Sequence, residues 1–108
     1  LDAVLNAVPS PIFAKTKDGR YVMANDAGLA FNGWTRGATL GRRDSDLHEA
    51  QRAERFHRQD MAALESGRPV SCEEAYPMGD GNVHWLFKTS NPVKLRDGET
   101  LPEFLQGA

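Results

Sequence analysis

One cysteine, Cys72, stands in a chain of 108 residues. That excludes an internal disulfide and a multi-cysteine zinc site, and it fits a reducing, cytoplasmic setting. Long apolar runs are missing too. No stretch approaches the ~20 residues of a membrane span, and no basic start leads into an apolar segment of the secretory kind. Positive charge is not in excess. Thirteen Lys and Arg stand against fifteen Asp and Glu, net −2, with the signs interspersed. A nucleic-acid surface needs a basic face, so no nucleic-acid partner is expected. There is no internal repeat, no glycine-rich phosphate loop after a strand and no nucleophile elbow. Glu73 and Glu74 are adjacent carboxylates, but strand neighbours point to opposite faces and cannot flank one bond. Nothing in the chain supports a reaction, and no enzyme is expected of this segment.

What is present is ordinary for a globular domain, at 40% apolar and 26% charged residues, and its length suits a single core. Leu1, Val4, Leu5 and Val8 recur at helical spacing, so an amphipathic helix opens the chain. Pro9-Ser10-Pro11 stops it. Residues 12–16 and 21–24 read as strands joined by the turn Lys17-Asp18-Gly19-Arg20, a β-hairpin. Asn25 is a helix N-cap with Asp26 in the first turn, and Gly33 ends that helix. Residues 35–46 read as irregular. A long helix covers 47–66 and stops at Gly67, with Pro69 beyond. Strands follow at 70–78, 83–92 and 103–108. They are separated by Gly79-Asp80-Gly81-Asn82 and Arg96-Asp97-Gly98-Glu99. In the second of them Val83, Trp85 and Phe87 point one way, and His84, Leu86 and Lys88 the other. Helices and strands come in blocks, which argues α+β with an antiparallel sheet and helices on one face.

The order and spacing of several pieces resemble a PAS domain. They are the apolar Leu5-to-Ile12 start, Asp18-Gly19-Arg20 followed by Val22-Met23-Ala24-Asn25, Gly33-Trp34 and Leu40-Gly41. Asp44-Ser45-Asp46-Leu47, Glu65-Ser66-Gly67-Arg68-Pro69, Asp80-Gly81, Trp85, Pro92 and Asp97-Gly98 complete them. The chain is most similar to sensor PAS domains of bacterial kinases and cyclases. The resemblance implies a five-stranded antiparallel sheet with helices over one face, a small interior cavity, and a role in sensing or dimerisation. It makes residues 1–108 one PAS-like domain, expected to be excised from a longer multidomain signalling protein. The Asp–aliphatic–Thr triad that often joins the last strand to an output helix would begin where the sequence stops. Pro102 would remove a donor from what is a central strand in the family. Leu101-Pro102 are therefore placed in the preceding loop, with the strand starting at Glu103.

On the long helix Ala53, Phe56, Asp60, Ala63 and Leu64 form one stripe, with His57 and Met61 at its edge. An aspartate inside an apolar stripe must be paired, hydrogen-bonded or neutral. Phe56, Asp60, Leu64 and Tyr76 are the expected ligand-binding residues. The resemblance also raises haem, which related oxygen sensors hold through a histidine on this helix, here His57; no cofactor is otherwise expected. Flavin-binding relatives carry a cysteine just after the short helices. Residues 34–47 have none, and Cys72 reads as a small core residue. His48, His57 and His84 are not spaced as metal ligands. Trp34, Trp85, Phe13, Phe56, Phe87 and Tyr76 read as core, with the outer sheet face open as an alternative for Trp85 and Phe87.

Two functions follow from these readings. One is a sensory module that binds a small ligand and relays it to a neighbouring output domain of the histidine-kinase or cyclic-dinucleotide type. The other is a ligand-free module for homodimerisation or docking through the sheet face and the 1–8 helix.

Overall fold

A computed structural model describes the backbone of residues 2–77, 81, 83–94 and 100–107, and their side chains apart from 2, 4, 5, 77, 84, 94 and 100–107. Helix α1 is Asp2–Ala7, followed by strands β1 (Ile12–Lys15) and β2 (Tyr21–Ala24). Four helices come next: α2 (Asp26–Asn32), α3 (Arg36–Thr39), α4 (Asp44–Leu47) and α5 (Ala50–Ser66). Strands β3 (Val70–Pro77), β4 (Val83–Lys94) and β5 (Thr100–Gly107) complete the chain. The five strands form one sheet in the order β2-β1-β5-β4-β3, every pair antiparallel. The fold is α+β, as the block arrangement of the sequence implies.

Local chemistry sets the helix ends. The Asn25 side chain accepts from the Gly28 amide and caps α2, and Asp26 in the first turn complements the dipole. Gly33 at φ +70 and Gly67 at φ +67 close α2 and α5 in the left-handed conformation that a β-carbon disfavours. The stretch expected to be irregular holds α3 and α4, two single turns too short to show a period. The long helix starts at Ala50 instead of residue 47, because the backbone is extended at His48 and Glu49 between α4 and α5.

One face of the sheet carries the core, with α5 lying across β3, β4 and β5. Phe13, Tyr21, Ala24 and Leu29 form one buried cluster, packed by Trp34 and Leu47. Phe56, Tyr76 and Leu86 form a second, packed by Phe31. The His48 ring joins the two, 5.0 Å from Trp34 and 5.0 Å from Phe56 by ring centroids, edge-on to both. Burying a side chain such as Phe56 is worth about 1.5–3 kcal/mol.

Several expectations are corrected. Trp85 and Phe87 are 66% and 61% exposed, beside Val83 at 58%. They occupy the outer face, because the alternation of β4 turns Leu86 and Lys88 inward. Cys72 is exposed, not core. Pro102 lies inside β5, opposite Pro92 of β4. The β1–β5 ladder ends at Ala14↔Glu103 and the β3–β4 ladder at Val70↔Ser90, so among the described residues this proline pair has no outer strand beside it. A proline there withholds no bond that a central strand would need. The turn at 96–99 and most of the one at 79–82 lie outside the described residues, as do Leu1 and Ala108 at the ends of the elements expected there.

Candidate functional site

The inward positions of β1 and β4 carry polar side chains beside apolar ones. On β1 they are Phe13 and Lys15; on β4 they are Leu86, Lys88 and Ser90. Two lysines are thereby carried into the interior, Lys15 at 0% and Lys88 at 2% exposure. Buried charge needs partners. The Lys15 ammonium donates to Asp44 Oδ2 and, at 2.7 Å, to Asp60 Oδ2. The Tyr21 hydroxyl donates to the other Asp44 oxygen, and Ser90 Oγ donates to Asp60 Oδ1 at 3.1 Å. Asp60 on α5, Asp44 on α4, Lys15 on β1, Tyr21 on β2 and Ser90 on β4 are thus one network. Beside Asp60 in sequence, Gln59 donates to the carbonyls of Lys88 at 2.7 Å and Val70 at 2.9 Å, tying α5 to β4 and β3.

Burial shapes the electrostatics. It raises the Asp60 carboxyl above the usual range against the pull of Lys15 and Lys88. It lowers the Lys88 ammonium to about 7, with the Asp60 charge opposing. That nitrogen stands 4.2 Å over the Phe56 ring, a cation–π position. Burial pushes the Tyr21 phenol well up, and the Asp44 charge adds to it. His48, its side chain 7% exposed, is lowered to about 4 by burial and is a neutral imidazole at pH 7. On the far side of the helix Arg55 Nη2 meets Glu74 Oε1 at 2.5 Å. The Arg52 guanidinium lies 4.8 Å from the Tyr76 ring centre.

An open cleft of about 460 Å³ reaches this network from solvent. Its walls are the β1–β2 turn at Asp18 and Gly19, the start of α4 at Arg43, Asp44 and Ser45, and the α5 face of Ala50, Ala53, Glu54 and His57. The buried carboxylates of Asp44 and Asp60 are part of its lining. Small residues at Ala50 and Ala53 leave the room. Arg43 helps hold the far wall by donating to the Asp18 carbonyl at 3.1 Å.

Of the residues expected from sequence, Phe56 and Tyr76 share a core cluster, and Asp60 stands on the same helix among Lys15 and Ser90. Leu64, one turn beyond Asp60, is half-buried. His57 is exposed on the cleft wall. The sequence assigns no site role to Lys15, Lys88, Asp44 or Ser90. The signal for the lysines was there: each takes the inward parity of a strand whose other inward residues are apolar or small. Among the described residues no group of three or more His, Cys, Asp or Glu could hold a metal ion. No described helix is long and apolar enough to cross a membrane.

Comparison with known proteins places this arrangement. A family model described as the PAS fold matches residues 5–104. The chain belongs to the PAS family. This PAS domain is 31% identical over 99 residues to the uncharacterized protein y4lL of Sinorhizobium fredii, covering 92% of the chain but 12% of that protein. Among solved structures it resembles VqmA of Vibrio cholerae at a TM-score of 0.84 and 25% identity, over 97% of this chain and 48% of that one. VqmA has also been solved bound to DPO. The PAS domain of Bordetella pertussis BvgS matches at 0.75 and 21% identity, over 98% of this chain and 79% of that one, a likeness of fold. PAS domains are general sensory and signalling modules, and that is the level at which the function of this chain is established.

Proposed function

We propose that this PAS domain senses a small polar organic molecule taken up through the cleft into the interior between α5 and the sheet. The observation that carries the reading is a cluster of buried ionisable side chains under α5, Lys15, Lys88, Asp44 and Asp60, two of which line an open cleft. An apolar core of the same shape is often at least as stable as a buried ion network. Retaining the charges is explained by recognition of a polar ligand. Ligand sites of this kind are mostly apolar with a few placed polar groups. In this reading Asp44 and Asp60 meet the ligand at the cleft wall, and Phe56, Leu64, Tyr76 and Lys88, which lie outside that wall, line the space it enters between α5 and the sheet. VqmA, 25% identical, has been solved bound to DPO, which supports reading the domain as a binding module.

The relay runs to an output domain of the histidine-kinase or cyclic-dinucleotide type in the same chain, on the cytoplasmic side. The curated relative, of which this chain matches 12%, has the length for such a domain. A thermal-shift screen against a library of small polar metabolites tests the reading. At least one compound is expected to raise Tm by several degrees, as binding to the folded state alone requires. Lys88→Met is expected to abolish that shift while remaining folded. No stabilising compound, or a shift indifferent to Lys88 and Asp60, would contradict it.

A second reading is favoured by the exposed row of Val83, Trp85 and Phe87. It is a homodimer or docking contact across the outer sheet face. VqmA is described as a dimer.

A further inference from the structure

Past Ser90 and Glu103 the sheet narrows. The β3–β4 ladder ends at Val70↔Ser90 and the β1–β5 ladder at Ala14↔Glu103. Among the described residues no third strand joins β4 and β5 from there, and they pair from Asn91↔Glu103 to Lys94↔Thr100. A two-stranded ribbon twists more freely than a sheet and has little stability of its own. Asp60 acts at its root. One carboxylate oxygen holds Ser90 on β4 at 3.1 Å, and the other holds Lys15 on β1 at 2.7 Å. Lys15 stands one residue past Ala14, and β5 lies between the two strands. A single side chain of α5 therefore straddles β5 where the ribbon leaves the sheet. The same carboxylate lines the cleft.

We propose that Asp60 is a latch at the root of the β4–β5 ribbon, released when a cleft ligand presents an N–H or ammonium donor to its carboxylate. The proposal rests on the reading of the cleft as a ligand site, and adds the chemistry of the ligand and the element that moves. Exchanging one buried donor for another conserves the charge-assisted bond. The ligand then needs only the difference in affinity between the two states. Gln59 keeps α5 attached to β3 and β4 through its own amide. Loss of the Asp60–Lys15 contact therefore loosens the root of the β4–β5 ribbon and leaves the helix in place. Asp60 is a positioning residue in this scheme as well as a ligand contact.

Amide hydrogen exchange on the intact chain tests the latch. Asp60→Asn keeps the shape and weakens the pair with Lys15; Ser90→Ala removes the β4 half and guards against a misfolded first variant. Each is expected to speed exchange in residues 91–94 and 100–103 by about tenfold, while the β1–β2 hairpin and β3 keep wild-type rates. Asp60→Glu is expected to recover part of the protection. Benzylammonium as the donor probe is expected to produce the same local loosening in the wild type, and not in Asp60→Asn. Benzoate, of the same size without the donor, is expected to do nothing. Uniform acceleration over the whole sheet, or none, overturns the latch. Equal effects of benzylammonium and benzoate, or none from either, overturn the donor class. A small molecule retained in native mass spectra alongside such negative results would leave the sensory reading standing and remove the latch alone.

Discussion

Lys88 stands with its ammonium nitrogen 4.2 Å over the ring of Phe56, 2% exposed. Burial holds this amine at about 7 against an ordinary 10.5. The unfolded chain therefore binds one more proton than the folded one between those values. Stability is expected to rise with pH from about 7 toward 9.5, with a slope from this residue of up to about 1.4 kcal/mol per pH unit. Urea denaturation at intervals across that window, on the wild type and on Lys88→Met, checks it. The variant is expected to lose the slope.

Gly28 is a glycine because of Phe13. A β-carbon at this helical position would lie 2.8 Å from Phe13 Cζ and 3.1 Å from Asn25 Oδ1. Alanine gains about 1 kcal/mol of helix propensity, and overpacking a buried site costs about 1–3 kcal/mol. The clash is with a buried ring that has little room to turn, so Gly28→Ala is expected to destabilise by up to about 2 kcal/mol net. Combining it with Phe13→Leu is expected to cost less than the sum of the two single changes in the same denaturation assay.

Asn25 serves three segments at once. Its Oδ1 accepts from Gly28 N at 2.8 Å and Ile12 N at 2.9 Å, and its Nδ2 donates to Ser10 O at 2.9 Å. Asn25→Ala removes a helix cap and leaves the buried Ile12 amide without this acceptor, a cost of about 2–3 kcal/mol. Asn25→Asp keeps the acceptor and loses the donor, so it is expected to fall between alanine and the wild type in thermal melts.

These positions show how far the chain could be read without coordinates. Asn25, Gly33 and Gly67 act within a few residues, and each marks its helix end in the sequence. Asp60 was legible as an acid in an apolar stripe. Its partners were not, because Lys15 lies 45 residues away and Ser90 30 residues away. Pairing at that range is set by sheet order, which no local period encodes. Trp85 and Phe87 misled as core candidates because alternation gives two faces without saying which is inward. Pro102 misled because a strand that is central in the sheet runs on past its neighbours.

The outer face provides a further check. Trp85→Ser combined with Phe87→Ser removes two side chains that are 66% and 61% exposed. The fold is expected to keep its stability within about 0.5 kcal/mol. Sedimentation equilibrium is expected to show self-association of the wild type lost in the double variant. A large loss of stability would instead mean that the chain itself packs on this face.

The central claim is that the buried Lys15–Asp44–Asp60 network with Lys88 belongs to a small-molecule site. Native mass spectrometry of the purified chain, set against its denatured mass, tests this most directly. The expected result is an additional mass of small-molecule size on the folded wild type that disappears in folded Lys88→Met. Identical native and denatured masses, persisting after incubation with the metabolite library, would contradict it.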